Sequence, residues 1–354
     1  MKNEDIDLRI EDVLPKLSMP LQKKLEYSVS LLRRAEKIAL SYDPADGFFL
    51  AFSGGKDSQT LFHVAKLAGV RFRAHMNFTS VDPPEVIRFV RAQYPSCEMV
   101  KPKDSIFNIA AKKYTLPTIR VRWCCAEFKE MAGAGKVTLI GIRHEESARR
   151  SRRNEMEINN HKFSGSFDEF GEYREELAKK KGVNIMNASE ERTLGCISGK
   201  ESLIVSPIIQ WTEKDVWEFL GAVGAAHCRL YDEGWRRIGC INCPMSSQRQ
   251  KMRENERYPH VKRNWIKTIM YLRRKYILKY TDESGNPTRH TVWNMTPPPL
   301  GGYNPARDGW DEEKERQIAE YIYDWWISRE PFAKWYADTF LQRKIDFGGD
   351  NSSR

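Results

Sequence analysis

The sequence predicts an α/β protein built on a doubly wound, mainly parallel sheet with helical N-terminal and C-terminal extensions. Two observations carry that expectation. Short apolar runs of strand length alternate with stretches whose apolar residues recur at three- to four-residue spacing, as in strands joined by crossover helices. The first such run, Phe48 to Phe52, also passes through SGGKDSQ directly into the helical pattern TLFHVAKLAG. That strand, glycine turn and helix form the first half of a βαβ unit.

Each element has its own signal. Leu21 to Tyr42 carries the apolar spacing of an amphipathic helix and ends at the polar break Asp43-Pro44-Ala45-Asp46-Gly47. A second strand is expected at Phe72 to Phe78, followed by Asp82-Pro83-Pro84 as a helix start before EVIRFVRAQY. A third, Val137 to Ile140, leads into GIRHEES. A fourth, Leu203 to Pro207, precedes QWTEKDVWEFLGAV, where Thr212 and Asp215 have the spacing of an N-terminal cap. Residues 151–202 are polar and irregular and read as an insertion over the sheet's edge. From Tyr258 onward the texture turns to Trp, Tyr, Lys and Arg, broken by Pro297-Pro298-Pro299. The expected organisation is a helical segment at 1–43, a central domain at 44–256 and a basic, aromatic helical extension at 257–354.

The chain has 354 residues with 58 Lys and Arg against 48 Asp and Glu, a formal net charge of +10. Its 40% hydrophobic content is that of a globular protein and excludes a disordered or fibrous one. No run approaches the ~18 apolar residues of a membrane span, and the opening MKNEDIDLRIEDVL is acidic, without an apolar signal core. The expectation is a cytoplasmic protein with no membrane partner. Seven cysteines, at 97, 124, 125, 196, 228, 240 and 243, are then expected as thiols or metal ligands rather than disulfides.

Ser53-Gly54-Gly55-Lys56-Asp57-Ser58 lies where backbone N–H groups and a helix N-terminus converge on an anion. Its spacing is neither that of the GxxxxGK[ST] loop nor that of the GxGxxG loop. Coming after a strand, it resembles the phosphate loop of the adenine nucleotide alpha-hydrolase superfamily. Two further segments are similar to motifs of the phosphoadenosine phosphosulfate (PAPS) reductase family within it. Gly141-Ile142-Arg143-His144-Glu145-Glu146-Ser147-Ala148-Arg149-Arg150 resembles G-x-R-x-x-E-S-x-x-R. Leu230-Tyr231-Asp232-Glu233-Gly234-Trp235-Arg236-Arg237-Ile238-Gly239-Cys240 resembles L-Y-D-x-G-y-x-R-I-G-C. The resemblance covers about residues 45–250.

It implies that ATP, or a sulfonucleotide such as PAPS or its analogue lacking the 3′-phosphate (APS), binds through Ser53, Gly54, Gly55, Lys56, Asp57, Ser58, Gly141, Arg143, Glu146, Ser147, Arg150 and Arg237. Arg143 and Arg150 are permanently charged forks suited to bidentate contacts with phosphate or sulfate. The alternative is that they pair with Glu145 or Glu146 on a solvated face, and for Arg149, Arg152 and Arg153 the two readings are balanced. Lys56, Asp57 and Arg143 are the candidate catalytic groups. Asp57 is suited to orient a Mg²⁺ held by phosphates, although one carboxylate does not make a metal site.

Trp123-Cys124-Cys125 and Cys240-Ile241-Asn242-Cys243-Pro244 supply four thiols in two tight pairs. The residues alone admit Zn²⁺ or a [4Fe–4S] cluster. The resemblance implies the cluster, since the cluster-containing branch of these reductases uses a Cys-Cys pair followed by CxxC. Adjacent cysteines also reach two corners of a cubane more readily than two corners of one Zn²⁺ tetrahedron. Cys97, Cys196 and Cys228 are expected as buried apolar side chains, with Cys196 the candidate for a reactive thiol, its thiolate stabilised by Lys200.

Family reductases use a nucleophilic Cys in a C-terminal ECG[IL]H tail, whereas no cysteine follows Cys243 here. A nucleotide site beside a cluster then resembles the sulfurtransferase branch acting on DNA or tRNA, in which ATP adenylates an oxygen that sulfur replaces. That implies a nucleic-acid partner and a sulfur donor such as a cysteine desulfurase. VKRNWIKTIMYLRRKYILKY, residues 261–280, has a texture suited to phosphate contacts and base stacking, or to an amphipathic helix with its basic side chains turned outward. The aromatic run from Tyr321 to Trp335 is expected in a core or a protein interface. Three functions stay open: an adenylating sulfurtransferase, a sulfonucleotide reductase and a nucleotide-sensing regulator.

Overall fold

The computed structural model describes residues 2–341 apart from 131, 160, 184–193, 283, 285, 287, 289, 290 and 296. The chain divides into two compact units, one formed by Met1–Pro102 with Cys125–Gly239 and the other by Lys103–Cys124 with Cys240–Arg354.

The first unit is organised on seven strands: β1 (Phe48–Ala51), β2 (Phe72–Asn77), β3 (Glu98–Val100), β4 (Val137–Leu139), β5 (Met156–Ile158), β6 (Ser164–Gly165) and β7 (Leu203–Val205). Their order in the sheet is β3-β2-β1-β4-β7-β5-β6. The first five in that order run parallel, and β5 and β6 add an antiparallel edge. The α/β class with a mainly parallel sheet is therefore as expected. Phe48, Leu50, Val137, Leu139, Leu203 and Val205 are fully buried, which is what strands covered on both faces require.

The helix Lys56–Ala68 follows β1 and packs against the helices Met19–Tyr42 and Glu213–Val223. Met19–Tyr42 is fastened to the sheet by Ser28, whose hydroxyl donates to Pro207 O at 2.7 Å and accepts from Trp211 Nε1 at 3.2 Å. Residues 2–43 lie in the same compact unit as the sheet. The four buried leucines Leu21, Leu25, Leu31 and Leu32 explain why, since that surface has to be covered.

The 151–202 stretch is more ordered than its composition suggests. It contributes β5, β6 and the helix Phe167–Lys181, which opens on a Ser166–Glu169 capping box and closes on Gly182 at φ +65°. Residues 184–193 of that stretch lie outside the described residues.

In the second unit, the helix Pro259–Lys279 packs against Ile106–Lys113, Gln248–Arg257 and Glu312–Ser328. Trp265 lies between Phe107 and Trp326, with ring centroids 4.9 Å away in each case. Arg273, 1% exposed, forms a two-point ion pair with Glu315 at 2.6 and 3.0 Å. Trp326 and Trp335 are buried here, in keeping with a core role for that aromatic run.

Candidate active site

From β1 the chain moves outward through β2 to β3, then returns to β4 on the other side of β1 and continues to β7. The direction of winding reverses between β1 and β4. The loops leaving the carboxyl ends of two such strands diverge and open the crevice in which α/β sheets bind ligands. Here those loops are Ser53–Gly55 and Ile140–Arg143.

Sequence chemistry shapes the first loop. Gly54 has φ +69°, and a Cβ there would lie 2.6 Å from Val90 Cγ2. Gly55 is the N-cap of the Lys56–Ala68 helix, so the loop delivers the N–H groups of Asp57 and Ser58 at a helix N-terminus. Ser58 Oγ donates to Gly55 O at 2.9 Å and accepts from Ser53 N at 3.2 Å, tying the turn across itself. Lys56 N donates to Tyr231 Oη at 2.9 Å. Burial is the main reason the Tyr231 phenol is held above its usual range, so it stays protonated with a hydrogen to donate.

The second loop fits against the first. A Cβ on Gly141 would lie 2.8 Å from Asp57 O and 3.0 Å from Asp57 C, so glycine permits this contact between backbones. Arg143, 3% exposed, donates from Nε to Asp57 Oδ1 at 2.7 Å and from Nη1 to Glu145 Oε2 at 2.9 Å. Lys56, 5% exposed, lies 3.3 Å from Asp57 Oδ2 and 3.6 Å from Glu213 Oε1. Glu145 Oε2 also accepts from Glu213 N at 2.6 Å. Two buried cations thus share three carboxylates around the helix N-terminus.

The structure therefore brings together Ser53, Gly54, Gly55, Lys56, Asp57, Ser58, Gly141 and Arg143. Glu146 joins them by accepting from Arg143 N at 3.0 Å. Arg150 has its guanidinium on Glu146, and Ser147 Oγ accepts from Arg150 N at 3.3 Å in the same turn. Arg153 pairs with Glu157, while Arg149 and Arg152 are exposed. Arg237 is exposed and outside the hydrogen bonds described for the loop. Tyr231, Glu145 and Glu213 are site residues that the sequence reading did not select. Tyr231 stands inside the Leu230–Cys240 motif, which is the signal the sequence offers for it.

The cysteines divide. Cys196, the expected reactive thiol, is 4% exposed, and the chain runs from it into β7 at the amino-terminal edge of the sheet. The phosphate loop leaves β1 at the opposite edge, and Lys200 is exposed. Cys97 and Cys228 are buried as expected, and burial pushes the Cys97 thiol up to about 12 and raises that of Cys228. Cys124, Cys125, Cys240 and Cys243 are each half-buried. Among the described residues, no group of three or more His, Cys, Asp or Glu side chains is assembled to hold a metal ion.

The model of the phosphoadenosine phosphosulfate reductase domain matches residues 47–246, more than half of the chain. The chain belongs to this family. It is 24% identical over 74% of its length to an uncharacterized protein of Methanocaldococcus jannaschii, covering 56% of that relative. It is 26% identical to the adenosine 5′-phosphosulfate reductase of Lysinibacillus sphaericus, over 45% of this chain and 55% of that one. The chain spans about half the length of the curated relatives it matches over most of its own length. Among solved structures, the FMN adenylyltransferase of Candida glabrata bound to FAD and pyrophosphate is 12% identical, covering 68% of this chain and 73% of that one with a TM-score of 0.41. The PAPS reductase of Candida auris is 14% identical, covering 61% and 95% with a TM-score of 0.35. No helix among the described residues is long and apolar enough to cross a membrane.

Proposed function

We propose that this PAPS reductase family member binds ATP at the β1/β4 crevice and adenylates an acceptor oxygen, releasing pyrophosphate, so that sulfur then replaces that oxygen. The observation that carries the reading is the packing of Gly141 on the Asp57–Ser58 backbone, which brings Lys56 and Arg143 together on Asp57 at a helix N-terminus. In the first step the acceptor oxygen bonds to the α-phosphorus and the bond from that phosphorus to the β-bridging oxygen breaks. Lys56, Arg143 and the N–H groups of Asp57 and Ser58 stabilise the charge that develops on the departing pyrophosphate. In the second step a hydrosulfide equivalent displaces AMP, which leaves with the acceptor's former oxygen, so no net electron transfer is needed. Asp57 offers a carboxylate to a Mg²⁺ carried in by the phosphates, which would also offset the excess of carboxylates there.

Burial of Cys97, Cys196 and Cys228 favours this order of chemistry over attack on a sulfonucleotide by one of those thiols. The acceptor proposed is a nucleic acid, DNA or tRNA. In support, the helix Pro259–Lys279 buries Trp265, Ile269 and Leu272 and leaves Arg263, Lys267, Tyr271, Arg274 and Lys275 exposed. Arg274 also lies over the Trp310 ring at 5.4 Å. A cysteine desulfurase with a thiol reductant is the proposed sulfur source. A [4Fe–4S] cluster on Cys124, Cys125, Cys240 and Cys243 is supported by their sequence pattern alone. Iron and acid-labile sulfide assays on anaerobically purified protein test it, and the chemistry above does not run through it.

The second reading is a reductase acting on PAPS or APS, favoured by the family match itself. Exchange of labelled pyrophosphate into ATP separates the two. The adenylation reading expects exchange that depends on added DNA or tRNA, and its absence with every acceptor would overturn it.

A further inference from the structure

The loop is held from behind by a residue far from it in sequence. Asn3 is 2% exposed, and its side-chain amide donates to Ala226 O at 2.7 Å and to Tyr94 Oη at 3.0 Å. Its Oδ1 accepts from Ala226 N at 3.0 Å, so one carboxamide satisfies both backbone groups of Ala226. Tyr94 Oη donates to Gln59 Oε1 at 3.0 Å, and Gln59 Nε2 donates to Gly54 O at 3.3 Å. Ala226 lies five residues before Tyr231, whose hydroxyl oxygen holds Lys56 N at 2.9 Å. Asn3 therefore meets two arms that end on Gly54 and on Lys56, either side of Gly55.

The surroundings show that the attachment is built rather than incidental. Lys66 Nζ donates to Glu4 O at 2.5 Å and to Ile6 O at 2.9 Å, and Ser96 N donates to Glu4 Oε2 at 2.8 Å. Asn3 N donates to Gln93 Oε1 at 3.1 Å. Residues 3–6 are thus bonded to the Lys56–Ala68 helix and to the chain around residues 93–96. A buried polar network of this kind favours one geometry, because breaking one of its bonds leaves an unpaired group in a low-dielectric interior.

We infer that Asn3 is a positioning residue for the phosphate loop, holding the Gly54 carbonyl and the Lys56 amide in the arrangement that receives a phosphate. The inference rests on the reading of Ser53–Ser58 as the nucleotide's phosphate cradle. Its role is to preorganise the cradle, so losing it loosens Gly54–Lys56 while leaving the rest of the unit folded.

The test compares Asn3→Ala and Asn3→Asp with Phe170→Leu. Asn3→Asp keeps the acceptor for Ala226 N but loses both donors. Phe170 is buried against Phe163 and Tyr173 beside β6, at the far edge of the sheet, and serves as a control of similar cost in stability. Two quantities are read: the ATP dissociation constant by equilibrium dialysis, and amide hydrogen exchange across residues 53–58 in the nucleotide-free protein. Both Asn3 variants should weaken ATP binding about tenfold and speed exchange in 53–58 at least about tenfold, with Phe170→Leu changing neither. Unchanged exchange in the Asn3 variants, or an equal change in Phe170→Leu, would overturn the inference. If the wild-type chain binds no adenine nucleotide, the cradle reading fails, and the exchange comparison still decides whether Asn3 holds the loop.

Discussion

Arg143 Nε donates to Asp57 Oδ1 at 2.7 Å, joining the loop after β4 to the helix after β1 across the point where the sheet reverses its winding. The guanidinium is buried while Asp57 keeps 22% of its side-chain exposure, so the pair presents its carboxylate to the crevice and its cation beneath. Under the proposed function, phosphate entry would redistribute an existing ion pair rather than fill a bare cationic hole.

Arg143→Ala leaves the Asp57 and Glu145 carboxylates without their shared cation. Hydrogen bonds to charged groups contribute about 1.5–3 kcal/mol each, so ATP affinity should fall roughly 10- to 150-fold. Arg143→Lys should recover only part of it, because an ammonium cannot reproduce the guanidinium fork that reaches Asp57 and Glu145 together. Equilibrium dialysis on both variants checks this, and unchanged affinity in Arg143→Ala would remove Arg143 from the site.

Gly141→Ala places a Cβ 2.8 Å from Asp57 O, where the neighbour is backbone and has nowhere to rotate. Overpacking of this kind costs about 1–3 kcal/mol. Here the displacement falls on the cradle, so nucleotide affinity should drop at least about tenfold, together with a lowered thermal midpoint. Wild-type affinity in a folded Gly141→Ala protein would contradict the close approach.

Tyr231→Phe removes the acceptor for Lys56 N and leaves that N–H facing an apolar ring. An unsatisfied buried donor costs about 1–3 kcal/mol. We expect a destabilisation of that size in chemical denaturation and faster hydrogen exchange at residue 56, with little change in the helix Met19–Tyr42.

His63 is fully buried, with Nε2 3.2 Å from Tyr94 Oη, and burial, aided by Lys66, lowers its pKa from 6.5 to about 3. Between those two values the unfolded chain binds a proton that the folded chain refuses, so His63 makes stability fall as pH drops through that window. Its contribution is fully present above pH 6.5. At up to about 1.4 kcal/mol per pH unit, wild type should lose about 2–3 kcal/mol more than His63→Gln between pH 7 and pH 4.5. Urea unfolding at the two pH values reads the difference, and parallel losses in both proteins would exclude a neutral buried His63.

The sheet's central strands and the phosphate loop were legible because local pattern decides them: buried apolar runs, a glycine pair and the helical repeat that follows. The edge strands were not. Glu98–Val100 spans three residues with both ends exposed, and Met156–Ile158 hides in a polar stretch where only two side chains point inward. The motif residues around Arg143 were found, but their partners were not all visible. The Arg143–Asp57 pair joins positions 86 apart, Asn3 meets Ala226 across 223 positions, and nothing local marks either bond. Cys196 is opaque for a related reason: its Gly- and Ser-rich surrounding suggests mobility, whereas its side chain is buried.

The central claim is that the β1/β4 crevice activates an acceptor with ATP. The most direct test is mass-spectrometric product analysis of the anaerobically purified protein given ATP or PAPS in separate reactions, each with and without DNA or tRNA. The account predicts AMP and pyrophosphate from ATP, stimulated by nucleic acid and lost in Arg143→Ala. Sulfite and adenosine 3′,5′-bisphosphate from PAPS, with ATP left intact, would contradict it.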